Sequence, residues 1–112
     1  MPLIDYRRAR AEVTVHEMLT LLGWTARVQT GAQARGPCPV HRSRSPTSRV
    51  FSVHLGRQLW HCFACSAGGN ALDLWSGATG QPLYAAVLDL YQRLGRPVPW
   101  LAPQETKRIN KL

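Results

Sequence analysis

"CPVHRSRSPTSRVFSVHLGRQLWHCFAC" (residues 38–65) holds all three cysteines of the 112-residue chain and three of its four histidines. It is bounded by two ligand pairs, Cys38-Pro-Val-His41 and Cys62-Phe-Ala-Cys65, with twenty residues between them. A two-residue gap lets one tight turn aim both side chains at a single ion, and two such pairs close a tetrahedron of sulfur and nitrogen around zinc. With all four positions filled by protein, no place is left for water or substrate, so the metal is structural. Two other readings compete. Cysteines serving only as small buried hydrophobes need no paired spacing. A redox dithiol at Cys62 and Cys65 calls for a βαβ setting that the chain lacks, and it leaves Cys38 and His41 unexplained. His61 adjoins Cys62 on a predicted strand and so points to the opposite face. His54 and His16 also read as polar-face or partly packed residues rather than ligands.

Within the stretch, Phe51, Val53 and Leu55 alternate with Val50, Ser52 and His54, the pattern of a half-buried strand. Gly56 marks a turn, and Gln58–Phe63 returns as the partner strand. Working outward, Thr14 and Glu17 form a capping-box pair for a helix carrying Val15, Met18, Leu19 and Leu22, which Gly23 ends. Residues 24–37 predict a short hairpin turning at Thr30-Gly31. Asn70 caps a helix over Ala71–Trp75, and Gly77 to Gly80 breaks the chain again. Pro82 opens a last helix with a stripe of Leu83, Val87, Leu90, Tyr91 and Leu94 that stops at Gly95. Trp24 and Trp75 are assigned to the core, and Phe63 to a lid over the sulfurs. The sequence predicts an α+β fold: a zinc ribbon on a small antiparallel sheet flanked by helices. Residues 1–12 are an arm or short helix, 13–95 the domain, and 96–112 an extended basic tail.

Small domains usually need a staple, and an odd cysteine count argues against a disulfide framework. No signal-peptide stretch and no apolar run of membrane-span length is present, so the expected setting is a reducing cytoplasm with no membrane partner. Fourteen basic against six acidic residues give a net charge of +8 and suit a polyanionic partner. Arg35, Arg42, Arg44, Arg49 and Arg57 flank or fall inside the cysteine-bounded stretch, which has no carboxylate. Guanidinium groups track phosphates while an aromatic ring stacks on bases of any identity, a combination suited to single strands. Trp60 is the candidate stacking platform, the alternative being that it packs on the C-terminal helix.

"CPVH", "SPTSRVFSV", "LWHCFACSAGGNALDLW" and "QPLYAAVLDL" together resemble the N-terminal Cys-His-Cys-Cys zinc-binding domain of bacterial DNA primases and related mobile-element primases, over about residues 13–95. The resemblance implies Cys38, His41, Cys62 and Cys65 as ligands of one zinc. It also implies contact between the sheet face and single-stranded template DNA in replication priming or a mobile-element system, through basic and aromatic nucleic-acid contacts drawn here from Arg42, Arg44, Arg49, Arg57 and Trp60. The chain departs from the family in having extra arginines where an acidic residue usually follows the ligand histidine. Its six carboxylates form no cluster of the kind a Mg²⁺-dependent polymerase needs, so it is expected to be non-catalytic alone, or the non-catalytic part of a primase. The alternative is a protein-interaction module that docks a polymerase, helicase or transposase through the last helix's apolar stripe and Trp100.

Overall fold

The computed structural model describes residues 2–41 and 48–101. Two short helices, α1 (Tyr6–Glu12) and α2 (Val15–Leu21), precede a meander of β1 (Val28–Thr30), β2 (Gln33–Gly36), β3 (Phe51–His54), β4 (Leu59–Cys62) and β5 (Gly68–Gly69). Helices α3 (Ala71–Thr79) and α4 (Leu83–Leu94) follow. The five strands pair antiparallel in sequence order, which confirms the predicted α+β class.

The alternating side chains of β3 and β4 decide which side of the sheet is buried. Val53 pairs with Trp60 and Phe51 with Cys62, and all four side chains are buried with Met18, Leu74 and Leu90 of the helices. Trp24 meets Phe51 edge-on at 5.5 Å, and Phe51 lies 5.7 Å from Trp60. Ser52, His54, Leu59 and His61 occupy the opposite, outer face. In the β3–β4 turn the left-handed residue is Gln58 (φ 59°) rather than Gly56. Its side chain supports that conformation: Nε2 donates to the Leu55 carbonyl at 2.5 Å, and Oε1 accepts the Val15 N–H of α2 at 2.7 Å.

Local chemistry accounts for the helix ends. Thr14 and Glu17 close a capping box on α2, Asn70 and Asp73 close another on α3, and Gly80 and Gly95 end α3 and α4 in the left-handed conformation. The stripe of α4 is buried through Val87, Leu90 and Tyr91, so it belongs to the core and is not a free docking face. Residues 2–12 and 96–101 pack onto the unit that the sequence bounds at 13–95. Ile4 is buried and bridges to Trp100; Asp5 N–H donates to the Pro99 carbonyl at 2.7 Å, and Leu101 N–H to that of Leu3 at 2.8 Å. Arg96 donates to the Glu12 carbonyl at 3.2 Å and pairs with the Glu17 carboxylate.

Glu17 thus serves two elements at once. Burial pulls its carboxyl pKa upward, but the Arg96 guanidinium and the Thr14 N–H outweigh this and hold it below its ordinary value of 4.5. Its stabilising contribution is therefore complete above 4.5 and lost as the pH falls through the lower folded value. Glu17→Ala is expected to cost about 1–2 kcal/mol at neutral pH in urea unfolding of the zinc-loaded protein. The gap between variant and parent should close on acidification; a gap independent of pH would show that the carboxylate charge contributes nothing.

Candidate metal centre and nucleic-acid interface

Cys38 follows β2, His41 lies in the turn after it, Cys62 ends β4, and Cys65 closes the turn that leads to β5. Their ligand atoms all lie within 4.8 Å of one another, and His41 Nδ1 sits 3.5 Å from Cys62 Sγ. A zinc tetrahedron with Zn–S bonds of about 2.3 Å has edges of about 3.8 Å, close to the size of this cluster. Three sulfurs and one imidazole are a donor set that zinc favours over hard cations. His61 is outside the cluster, as alternation along β4 requires.

The knuckle turn prepares the sulfurs unequally. Ala64 N–H and Cys65 N–H both donate to Cys62 Sγ at 3.4 Å, and Ser66 takes the positive φ (63°) that lets its N–H return to the Cys62 carbonyl at 3.0 Å. Burial alone would raise the Cys62 pKa, but the Cys65 and Ala64 N–H groups, with hydrogen bonds from the Cys65 and Cys38 thiols, lower it overall. Burial pushes the Cys38 thiol up to about 11, against the opposing His41 and Val40 N–H groups, and the neighbouring Cys62 raises it further. In the metal-free site Cys38 therefore holds its proton at neutral pH and releases it on loading. Bound zinc supplies a closed crosslink between the ends of β2 and β4, and these four side chains hold it.

The outer face of the sheet carries a second arrangement. Phe63 is 64% exposed; the alternation of β4 continues past Cys62, so its ring lies on the His61 side, edge-on to that imidazole at 4.8 Å. The Arg35 guanidinium lies 5.4 Å from the Phe63 ring centroid, and Arg35 Nε donates to the Arg49 carbonyl at 3.1 Å. Beside them a shallow depression of about 510 Å³ runs along Ser52, His54, Leu59 and His61 to Arg57.

Two expectations are corrected here. Trp60 is 5% exposed, packs on Phe51, and donates Nε1–H to the Asn70 carbonyl at 2.7 Å. Lying two residues before the inward-pointing Cys62, it shares that residue's face and is a core residue, so no base can stack on it. Phe63 is not a lid over the sulfurs but the exposed aromatic ring of the outer face. Strand parity counted from Cys62 was the signal that would have separated the two. Arg49 and Arg57 are exposed at the rim; Arg42 and Arg44 lie outside the described residues. Arg35 and His61, which the sequence had not singled out as contacts, complete the arrangement.

The sequence pattern of the family described as CHC2 zinc finger matches residues 11–106. The chain belongs to that family. Related sequences include the DNA primase of Synechococcus elongatus, 34% identical over 68% of this chain and 10% of that protein. The DNA primase of Halalkalibacterium halodurans is 39% identical over 64% of this chain and 12% of that protein. The crystal structure of the Aquifex aeolicus primase, comprising its zinc-binding and RNA polymerase domains, superposes with a TM-score of 0.67 at 26% identity, over 84% of this chain and 22% of that one. The chain spans about a tenth of the length of these curated relatives. As a CHC2 zinc finger it carries one structural zinc at Cys38, His41, Cys62 and Cys65. No helix among the described residues is long and apolar enough to cross a membrane.

Proposed function

We propose that this CHC2 zinc finger is a zinc-dependent module that binds single-stranded template DNA in replication priming, with the outer sheet face as the contact surface, and that it does not polymerise nucleotides by itself. The observation that carries this reading is the exposed Phe63 ring, flanked by His61 and Arg35 at the edge of the zinc knuckle. An aromatic face beside a guanidinium accommodates a base and its phosphate together. The family's link to primases supports DNA as the polyanion.

The test is fluorescence anisotropy with labelled single-stranded and duplex DNA across a salt series. Three to five neutralised phosphates predict a slope of about −2 to −3.5 in log K against log salt on the single strand. Phe63→Ala should weaken binding by about 1–3 kcal/mol, and Arg35→Ala by a comparable amount while flattening the slope by about 0.7. A slope near zero, or tighter binding to duplex, rules the reading out.

A protein-docking module is the second reading. One surface favours it: Leu3, Leu83 and Trp100 are each more than a third exposed, and Trp100 lies 6.3 Å from Tyr84. Association with a replication or transposition protein that persists after nuclease digestion would favour that surface over the sheet face.

A further inference from the structure

A second concavity, of about 360 Å³, lies between α1 and the β3–β4 turn. Its walls hold Arg7, Arg10 and Arg57 and no carboxylate. Arg7 and Arg10 stand three apart on α1 and so share one face of that helix, and both are exposed. None of the three arginines has an ion-pair partner among the described residues, whereas Arg8, Arg93 and Arg96 each pair with a carboxylate. Arg57 and Leu59 line this groove and the outer-face depression alike, so the two concavities meet at the end of the hairpin. Three unpaired guanidinium groups facing one groove repel one another, and a polyanion relieves that repulsion while each guanidinium forks onto phosphate oxygens.

We propose that this groove is a separate phosphate-binding site, in which Arg7 and Arg10 of α1, with Arg57, hold the backbone of a nucleic-acid strand after it leaves the sheet face past Leu59. The site lengthens the strand path beyond Phe63 and rests on the reading of the sheet face as the base-contacting surface. Arg7 and Arg10 contact phosphate alone, so they add affinity and salt dependence without base preference.

The experiment compares the zinc-loaded full chain with R7A/R10A on single-stranded oligonucleotides of about 5 and about 15 nucleotides, lengths that bracket a short and a long site. Loss of two phosphate contacts predicts about tenfold weaker binding to the longer strand and a salt slope flatter by about 1.4. Affinity for the shorter strand, held on the outer face, is expected to be unchanged. Neither side chain makes a hydrogen bond or ion pair among the described residues, so thermal stability serves as the control for folding. An unchanged salt slope on the longer strand overturns the groove, and so does equal weakening on both lengths, because the arginines would then act only as a general field. The two readings separate cleanly: if R35A weakens both lengths and R7A/R10A weakens neither, the sheet face stands and the groove falls. If the parent chain binds no single strand at all, the sheet-face reading and the groove are both overturned.

Discussion

Stripping zinc with a chelator is expected to unfold the domain. Apparent binding energies of structural zinc, about 10–16 kcal/mol in small zinc-finger peptides, match or exceed the roughly 5–15 kcal/mol that holds a typical small domain together. Here the ion fastens the end of β2, the turn at His41 and the knuckle after β4, so its loss releases the middle of the sheet on which Phe51, Val53 and Trp60 pack. The four ligands do not test this equally well. Cys38 and Cys62 are 1% and 0% exposed, so replacing either also disturbs the core. Cys65 is exposed, and Cys65→Ser removes a ligand with almost no change in packing. If Cys65→Ser abolishes zinc retention in native mass spectrometry and near-UV circular dichroism collapses with it, the metal itself stabilises the fold. A metal-free protein with an unchanged near-UV spectrum and unchanged melting would refute the claim. Affinity should also rise with pH, because the Cys38 thiol, at about 11 in the free site, must give up its proton to bind; each released proton adds up to about tenfold per pH unit.

Gly69→Ala is expected to be the most damaging single-methyl substitution among the glycines of the sheet. Gly69 has φ 148°, a conformation that L side chains rarely adopt, and it pairs with Trp60 across β4 and β5. A Cβ there would fall 2.7 Å from Asp73 Cβ and Cγ and closer still to the carboxylate. Asp73 has little room to retreat: its Oδ2 accepts the Asn70 N–H at 2.9 Å, and its own N–H donates to Asn70 Oδ1 at 3.1 Å. The Asn70 carbonyl in turn receives the Trp60 indole. One methyl group therefore strains the backbone, opens the capping box of α3 and loosens the Trp60 anchor, at a combined cost of about 2–5 kcal/mol. Gly80→Ala is the comparison, since Gly80 also has a positive φ but no atom within 4 Å of its would-be Cβ; it should cost only about 1 kcal/mol. Equal urea midpoints for the two zinc-loaded variants would remove the steric part of the argument.

The features legible in the sequence are those whose causes lie within a few residues. The ligand pairs, the Thr14–Glu17 and Asn70 caps, the glycine stop at Gly95, and the alternation of Phe51–His54 each depend on neighbours one to four positions away, whereas the break expected from Gly77 falls inside α3, which runs on to Thr79 with Gly77 packed against Val40. The same logic, carried from Cys62 along β4, would have turned Trp60 inward and Phe63 outward, against the roles the sequence reading gave them. Bulk and aromatic character alone point to the wrong ring, because they say nothing about which face is buried.

The amino-acid sequence by itself determined the zinc clamp, the α+β order of elements and the basic character of the chain, since spacing, capping and net charge are local or additive properties. Only the tertiary structure decided which partners meet. It joined residues 3–5 to 99–101 and Glu17 to Arg96, laid Arg35 against the Phe63 ring, and set Arg7 and Arg10 across a groove from Arg57. Those contacts form between residues far apart in the chain, where the energy that selects a partner comes from burying one shared core rather than from either segment alone.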